Sequence, residues 1–245
     1  MKSFSINFIK KKSQGFTLVE LAIVLVIFGL LIAAFITPLM AQREFQGRRE
    51  TQGLLNESKE ALIGYAIVNR YLPCPDTKAI PNGIESRDIA TGKCVGGNVD
   101  EGILPWNTLG IQPLDAWQHY FRYRVDATFS DSKVLFSITN ATGFSGINID
   151  GESGPLVSTN SRPVAVVLSH GANGFGAMNA TQASPANQLP APTSLDEKKN
   201  ADAAGALFVS RSPSAQGSVN EFDDMLIWIS PKVLINRMIQ AERLP

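Results

Sequence analysis

An α+β fold, with one long N-terminal helix packed against an antiparallel sheet, is what three features of this sequence predict. The first is an apolar run from Phe16 to Ala41, whose helical period carries on through a more polar stretch to Tyr71. The second is a set of five short β-rich runs in the second half of the chain, separated by loops of Gly, Asn, Asp and Pro. The third is a helix start at Ser230-Pro231, followed by an apolar face of Val233, Leu234, Met238 and Ile239. Strands that follow a helix, rather than alternate with helices, argue for α+β and against a parallel sheet.

The N-terminal run comes first. The 26 residues from Phe16 to Ala41 carry one charge, Glu20, and Leu21 to Ile36 carry no polar side chain. A helix of that length extends ~39 Å, enough for a hydrocarbon core of ~30 Å, so a membrane-spanning helix is expected. Lys10, Lys11 and Lys12 stand before it. By the positive-inside rule the N-terminus is then cytoplasmic and the remainder exported. A cleaved secretory signal would end near small residues such as Ala33-Ala34, yet the apolar character continues through Phe35, Ile36 and Leu39. A plain anchor explains the length and the lysines but not a carboxylate one turn into the span. Glu20 there has no obvious partner in its own chain, and an ionisable group at such a position is a functional hypothesis by default.

From Gln42 to Tyr71 the helix is expected to continue, with Leu54, Leu55, Ala61, Leu62, Tyr65 and Val68 forming a stripe buried on the sheet. Gly47, Gly53 and Gly64 weaken it by up to ~1 kcal/mol each relative to Ala, and Pro73 and Pro75 stop it. Residues 72–118 read as a long connecting region, with Trp106, Leu109, Ile111 and Leu114 tucking its end against the core. It holds the two cysteines, Cys74 and Cys94. In an exported domain they read as a disulfide, against the alternative of two free thiols. The strands are expected at Tyr120–Val125, Lys133–Thr139, Pro163–Ser169, Ala206–Arg211 and Met225–Ser230. Residues 177–204, rich in Ala, Asn, Pro and Gln, have no apolar period and read as a long exposed loop.

Charge and composition exclude several functions. The chain has 22 basic and 22 acidic residues; without the four lysines of residues 1–15 it has 18 basic against 22 acidic, a formal −4. Nothing there predicts a nucleic-acid partner. Gly171, Gly174 and Gly176 follow a strand as a phosphate loop would, but no helix pattern and no lysine follow. Ser169-His170 lacks the upstream glycine of a nucleophile elbow. With two histidines in all, His119 and His170, and no catalytic spacing, the chain does not read as an enzyme.

Lys12-Ser13-Gln14-Gly15 followed by Phe16-Thr17-Leu18-Val19-Glu20-Leu21 resembles the cleavage and methylation motif of type IV prepilins and type II secretion pseudopilins. The resemblance covers roughly residues 10–38 and implies several things together. A prepilin peptidase would cut between Gly15 and Phe16 and N-methylate Phe16. Glu20 would pair with the Phe16 amine of a neighbouring subunit, and Pro38 resembles the proline that interrupts the pilin helix, displaced by about one residue. It implies a pilin-like fold, organised as a leader (1–15), a transmembrane helix (16–41), its amphipathic continuation (42–71) and a periplasmic head (72–245). The implied partners are other pilin or pseudopilin subunits, the inner-membrane assembly platform and membrane lipid. The chain's length and inserts point to a minor subunit of a type IV filament, with a type II secretion pseudopilus as the alternative and an anchored periplasmic enzyme or binding module behind both.

Two further stretches carry the resemblance into the head. Asp115-Ala116-Trp117-Gln118-His119-Tyr120-Phe121-Arg122-Tyr123 resembles the Asp-x-Trp-Gly-x-Pro-aromatic-x-Tyr segment of pseudopilins, departing at Gln118 and Tyr120. Ser169-His170-Gly171-Ala172-Asn173-Gly174 resembles the Ser-x-Gly-Ala-Asp-Gly stretch of the major pseudopilin, and Asp223-Asp224 its later acidic pair. In that family these regions contribute to a calcium site, which implies calcium ligands at Asn173, Asp223 and Asp224. The competing reading is structural: Asn173-Gly174 as a turn, and Asp223 as the residue leading into a strand.

Overall fold

The structure, a computed structural model, describes residues 15–96, 100–135, 137, 146–180, 188–202, 204–214, 217–218 and 220–244, with the side chains of 34–40 outside that description. The chain divides into two units, Met1–Phe45 and Gln46–Pro245. Helix α1, Leu18–Asn69, contributes to both. Within the second unit follow β1 (Glu101–Ile103), α2 (Trp106–Leu109), β2 (Arg122–Val125), α3 (Ala127–Ser130), β3 (Asn148–Gly151) and β4 (Gly154–Pro155). The order ends with β5 (Ala165–Ser169), α4 (Leu195–Ala201), β6 (Leu207–Val209), β7 (Met225–Ile229) and α5 (Pro231–Gln240).

The main sheet is four-stranded and antiparallel, in the order β1-β2-β5-β7. A smaller sheet, β4-β3-β6, contains the one parallel pair among the described strands, β3 with β6. On one face of the main sheet Phe121, Tyr123, Val125, Ala165 and Val167 pack with Leu55, Leu62, Ile63 and Ala66 of α1 and with Leu234 and Met238 of α5. On the other, Val166 meets Ile147, Ile149 and Phe208 of the small sheet's layer. The central strand β5 is therefore buried throughout, which is why its sequence, Ala-Val-Val-Leu-Ser, is a continuous apolar run rather than an alternation.

The stripe on α1 is partly corrected. Leu55 and Leu62 are fully buried and Leu54, Ala61 and Tyr65 partly, but Val68 is 67% exposed. At ~100° per residue Val68 lies about 140° around the helix from Leu55, whereas Ala66 and Ile63 fall on the buried side. Gly47 has a positive reason: a Cβ there would stand 3.1 Å from the Trp117 ring, so the glycine lets that indole lie against the helix. The helix ends at Asn69, with Arg70 in the left-handed conformation at φ 66°.

Four of the five expected strands form, three trimmed at one end and the Ala206–Arg211 run, observed as Leu207–Val209, at both. The run Lys133–Thr139 forms no strand in its described part, 133–135, and its remainder lies largely outside the described residues. The loop expected over 177–204 is corrected too: residues 195–201 form α4, held by buried Glu197 and Asn200 rather than by an apolar face. Ser230 stands at the N-cap of α5 without a side-chain cap hydrogen bond, Pro231 is in the first turn, and the apolar face narrows to Leu234 and Met238 while Val233 and Ile239 stay exposed. In the 72–118 region Cys74 and Cys94 are joined, with Cα atoms 5.3 Å apart.

Candidate functional site

Two places gather chemistry, the start of α1 and a buried polar cluster in the head. At the first, Gly15 has no atom within 4 Å of where a Cβ would be, and Phe16 is 82% exposed. Thr17 caps the helix. The backbone N–H of Glu20 donates to Thr17 Oγ1 at 3.2 Å, while the Thr17 N–H and hydroxyl both donate to Glu20 Oε2 at 3.4 Å. This reciprocal Thr-x-x-Glu arrangement is a capping box, which satisfies orphan N–H groups and places the carboxylate at the positive end of the helix dipole. The expectation that Glu20 has no partner in its own chain is thereby corrected. The signal was in the sequence, as Thr17 three residues before Glu20, and was read only as part of a longer motif. Outward from there Leu18 to Ile32 present exposed apolar side chains. Among the described residues no helix is long and apolar enough to cross a membrane.

The second place lies where β5 leaves the main sheet and β7 enters it. Asp115 is buried and organises the approach to β2: its Oδ1 accepts the N–H groups of Trp117 and His119 at 2.9 Å, and its Oδ2 accepts the Ser169 hydroxyl at 2.7 Å. Gln118, where the resembled segment has Gly, takes φ 68°, so the turn keeps the glycine-like conformation without the glycine. Beyond β5, the Asn173 N–H donates to Asp223 Oδ2 at 2.8 Å, and Asn173 Nδ2 donates to Glu197 Oε1 and Glu221 Oε1, each at 3.1 Å. The Asp223 N–H donates in turn to Glu197 Oε1 at 3.1 Å.

Glu197, Asp223 and Asp224 each bring a carboxylate oxygen within 4.8 Å of the others. All three are buried, and Asp223 Oδ1 and Asp224 Oδ1 have no hydrogen-bond partner. Burial, with the neighbouring Asp224 carboxylate, pushes the Glu197 carboxyl up to about 7. Burial also raises Asp223 to about 6, against the lowering effect of the Asn173 N–H. Oxygens bound to one calcium at ~2.3–2.6 Å span no more than about 5 Å, so the spacing fits a shared hard cation, as do the acid-only donors and the orphaned Asp223 Oδ1, while Asp224 Oδ1 faces His170 Nδ1 at 3.4 Å. Asn173 does something other than expected: its Oδ1 accepts the Phe175 N–H at 2.9 Å, and it braces the carboxylates instead of joining them. Sequence reading missed Glu197 and Glu221, which belong to no stretch of the resemblance.

Residues 10–36 match the family model of the prokaryotic N-terminal methylation motif. The chain carries the prepilin-type cleavage and methylation motif of type IV pilins and pseudopilins. No curated protein and no solved structure matches the chain. The prepilin motif thus coincides with the start of α1: its glycine precedes the helix, its Phe16 is the exposed residue after it, and its Glu20 closes the capping box. The motif implies processing by a prepilin peptidase and assembly with other pilin subunits, and it belongs to structural subunits rather than to enzymes.

Proposed function

We propose that this chain is a minor pilin or pseudopilin subunit of a type IV filament system, cut after Gly15 and assembled through its N-terminal helix. The observation that carries the reading is the junction of the Gly15-Phe16 motif with a helix whose first turn holds Glu20 and whose following side chains are apolar and exposed. In this reading residues 16–41 cross the bacterial inner membrane, the N-terminus is cytoplasmic and the head is periplasmic, so an apolar surface that would be unfavourable in water lies in lipid. The test is a substitution at the cut. Gly15→Leu is expected to leave the precursor at full length, seen as a shift of about 2 kDa on a gel from the loss of ~15 residues' cleavage. Normal cutting of that variant would remove the prepilin reading.

A second reading, a type II secretion pseudopilus subunit with a calcium-stabilised head, is favoured by the Glu197, Asp223 and Asp224 cluster. Calcium would be held by those carboxylates, with Glu221 and Asn173 bracing them, and it would offset their mutual repulsion. Without metal the sign of the pH dependence follows from the raised carboxyls. The folded chain binds more protons than the unfolded one between the ordinary carboxylate range and about pH 7, so stability falls as pH rises through about 6 and 7. Melting of metal-free protein is expected to drop by ~5 °C between pH 5 and pH 8, and millimolar calcium to restore it at pH 8 but not at pH 5. No response to calcium at pH 8 would leave the cluster as a proton-sharing brace.

A further inference from the structure

The turn of α1 that meets the carboxylate cluster is held there by polar contacts and close approach, not by the apolar stripe. Thr51 is fully buried, and its Oγ1 accepts the Ala116 N–H at 3.2 Å. One turn earlier, Gly47 lies against the Trp117 ring. Beside it Arg48, half-buried, donates from its guanidinium to the Asp223 carbonyl at 3.3 Å. The approach is built in from the other side as well. Gly171 stands at φ 62°, and a Cβ there would come within 2.4 Å of the same Asp223 carbonyl, so glycine lets the turn after β5 close on this residue. A positive side chain from the helix is thereby brought to the backbone of a residue whose carboxylate belongs to the cluster.

Charge decides what that contact does. Three buried carboxylates with oxygens within 4.8 Å of one another repel, and Arg48 opposes that repulsion at Asp223, where its field favours the ionised carboxyl. The cations carried by α4 and by the chain after β6 are engaged elsewhere, with Lys199 and Arg211 both on Asp196. Arg122 and Arg124 of β2 are on Glu101. We propose that Arg48 is the counter-charge of the cation-free cluster and the residue outside the ligand set that tunes its cation affinity: a bound cation and the Arg48 guanidinium repel, so cation binding loosens this turn of α1 instead of locking it. The proposal rests on the calcium reading above. Linkage makes the effect mutual, so whatever draws Arg48 away from the head strengthens cation binding by the same factor. Coulomb repulsion scales with ion charge, so a trivalent ion in the same place feels Arg48 about 1.5 times as strongly as calcium does.

Full-length protein in detergent micelles at pH 8, titrated in a calorimeter with calcium and separately with terbium, tests this. Arg48→Gln is expected to bind calcium about 10-fold more tightly than wild type, and terbium about 30-fold more tightly. Arg48→Met, which also lacks the charge but keeps an unbranched stem, is expected to match it. Arg48→Lys keeps the charge and is expected to stay close to wild type. Melting without cation checks that each variant is folded; there Arg48→Gln is expected to lie below wild type, with calcium narrowing the gap. Unchanged or weaker calcium binding by both neutral variants would overturn the proposal and leave the calcium reading standing, because wild type still binds. So would equal tightening in Arg48→Lys, or a gain for terbium no larger than that for calcium. A wild-type protein that binds neither ion would remove the calcium reading and this proposal with it.

Discussion

Glu20→Gln is expected to be cleaved and inserted normally and yet to drop out of the filament. The side chain keeps its shape, and Gln at the third position of a capping box still reaches back to the Thr17 N–H, so the helix start survives. What is lost is the charge that, in the proposed filament, meets the Phe16 amine of a neighbour. Removing one member of a buried ion pair costs about 3–5 kcal/mol because the other is left uncompensated, so co-purification with filament partners is expected to fall at least ~100-fold. Glu20→Ala separates the two roles: it removes the cap as well, and amide exchange in the first turn of α1 should rise only in that variant. A Glu20→Gln protein that is processed and incorporated at the normal level would confine Glu20 to capping.

Cys74→Ser is expected to cost the head about 2–5 kcal/mol, a fall of ~5–15 °C in melting temperature. The bond closes the irregular chain from Cys74 to Cys94, and it sits where α1 hands over to the sheet: Leu72, two residues earlier, is fully buried and donates its N–H to the Phe129 carbonyl at 2.7 Å. Arg87 competes with the disulfide for the role of staple. Its guanidinium donates to the carbonyls of Leu72 and Gly92, pairs with Glu85 at 2.9 Å and covers the Tyr71 ring at 4.5 Å. The loss is therefore expected near the lower end of the range, and Cys74→Ser combined with Arg87→Ala should lose more than the sum of the two. Melting of the wild-type protein with and without reductant checks the first statement, and equal curves would give the loop to Arg87 alone.

How far each element is legible in the sequence depends on the kind of signal it sends. The long helix and β5 are apolar over many residues, and hydrophobic pattern finds them. β1, β3 and β4 are two to four residues long and partly glycine, too short for a period to register. α4 failed for a different reason. Its buried residues are Glu197 and Asn200, and Asn200 earns its burial by pairing with the backbone of Val209 at 2.7 and 3.0 Å and with Asp224 at 2.8 Å. A helix held by polar partners far along the chain has no apolar stripe to show. The same blindness hid Glu197 and Glu221 from the carboxylate cluster, although Asp223 and Asp224, adjacent in sequence, were visible. Gln118 shows the converse: it stands where the resembled segment has glycine, and the Asp115 carboxylate, accepting the N–H groups of Trp117 and His119, holds it in the left-handed conformation.

The central claim is that this chain is a processed filament subunit, and the mature N-terminus tests it most directly. Intact-mass and N-terminal peptide spectrometry on protein from a host that has a prepilin peptidase should find a chain that begins at Phe16 with one added methyl group. A chain that keeps Met1, or one that begins near Phe35 after cutting at the Ala33-Ala34 pair, would contradict it.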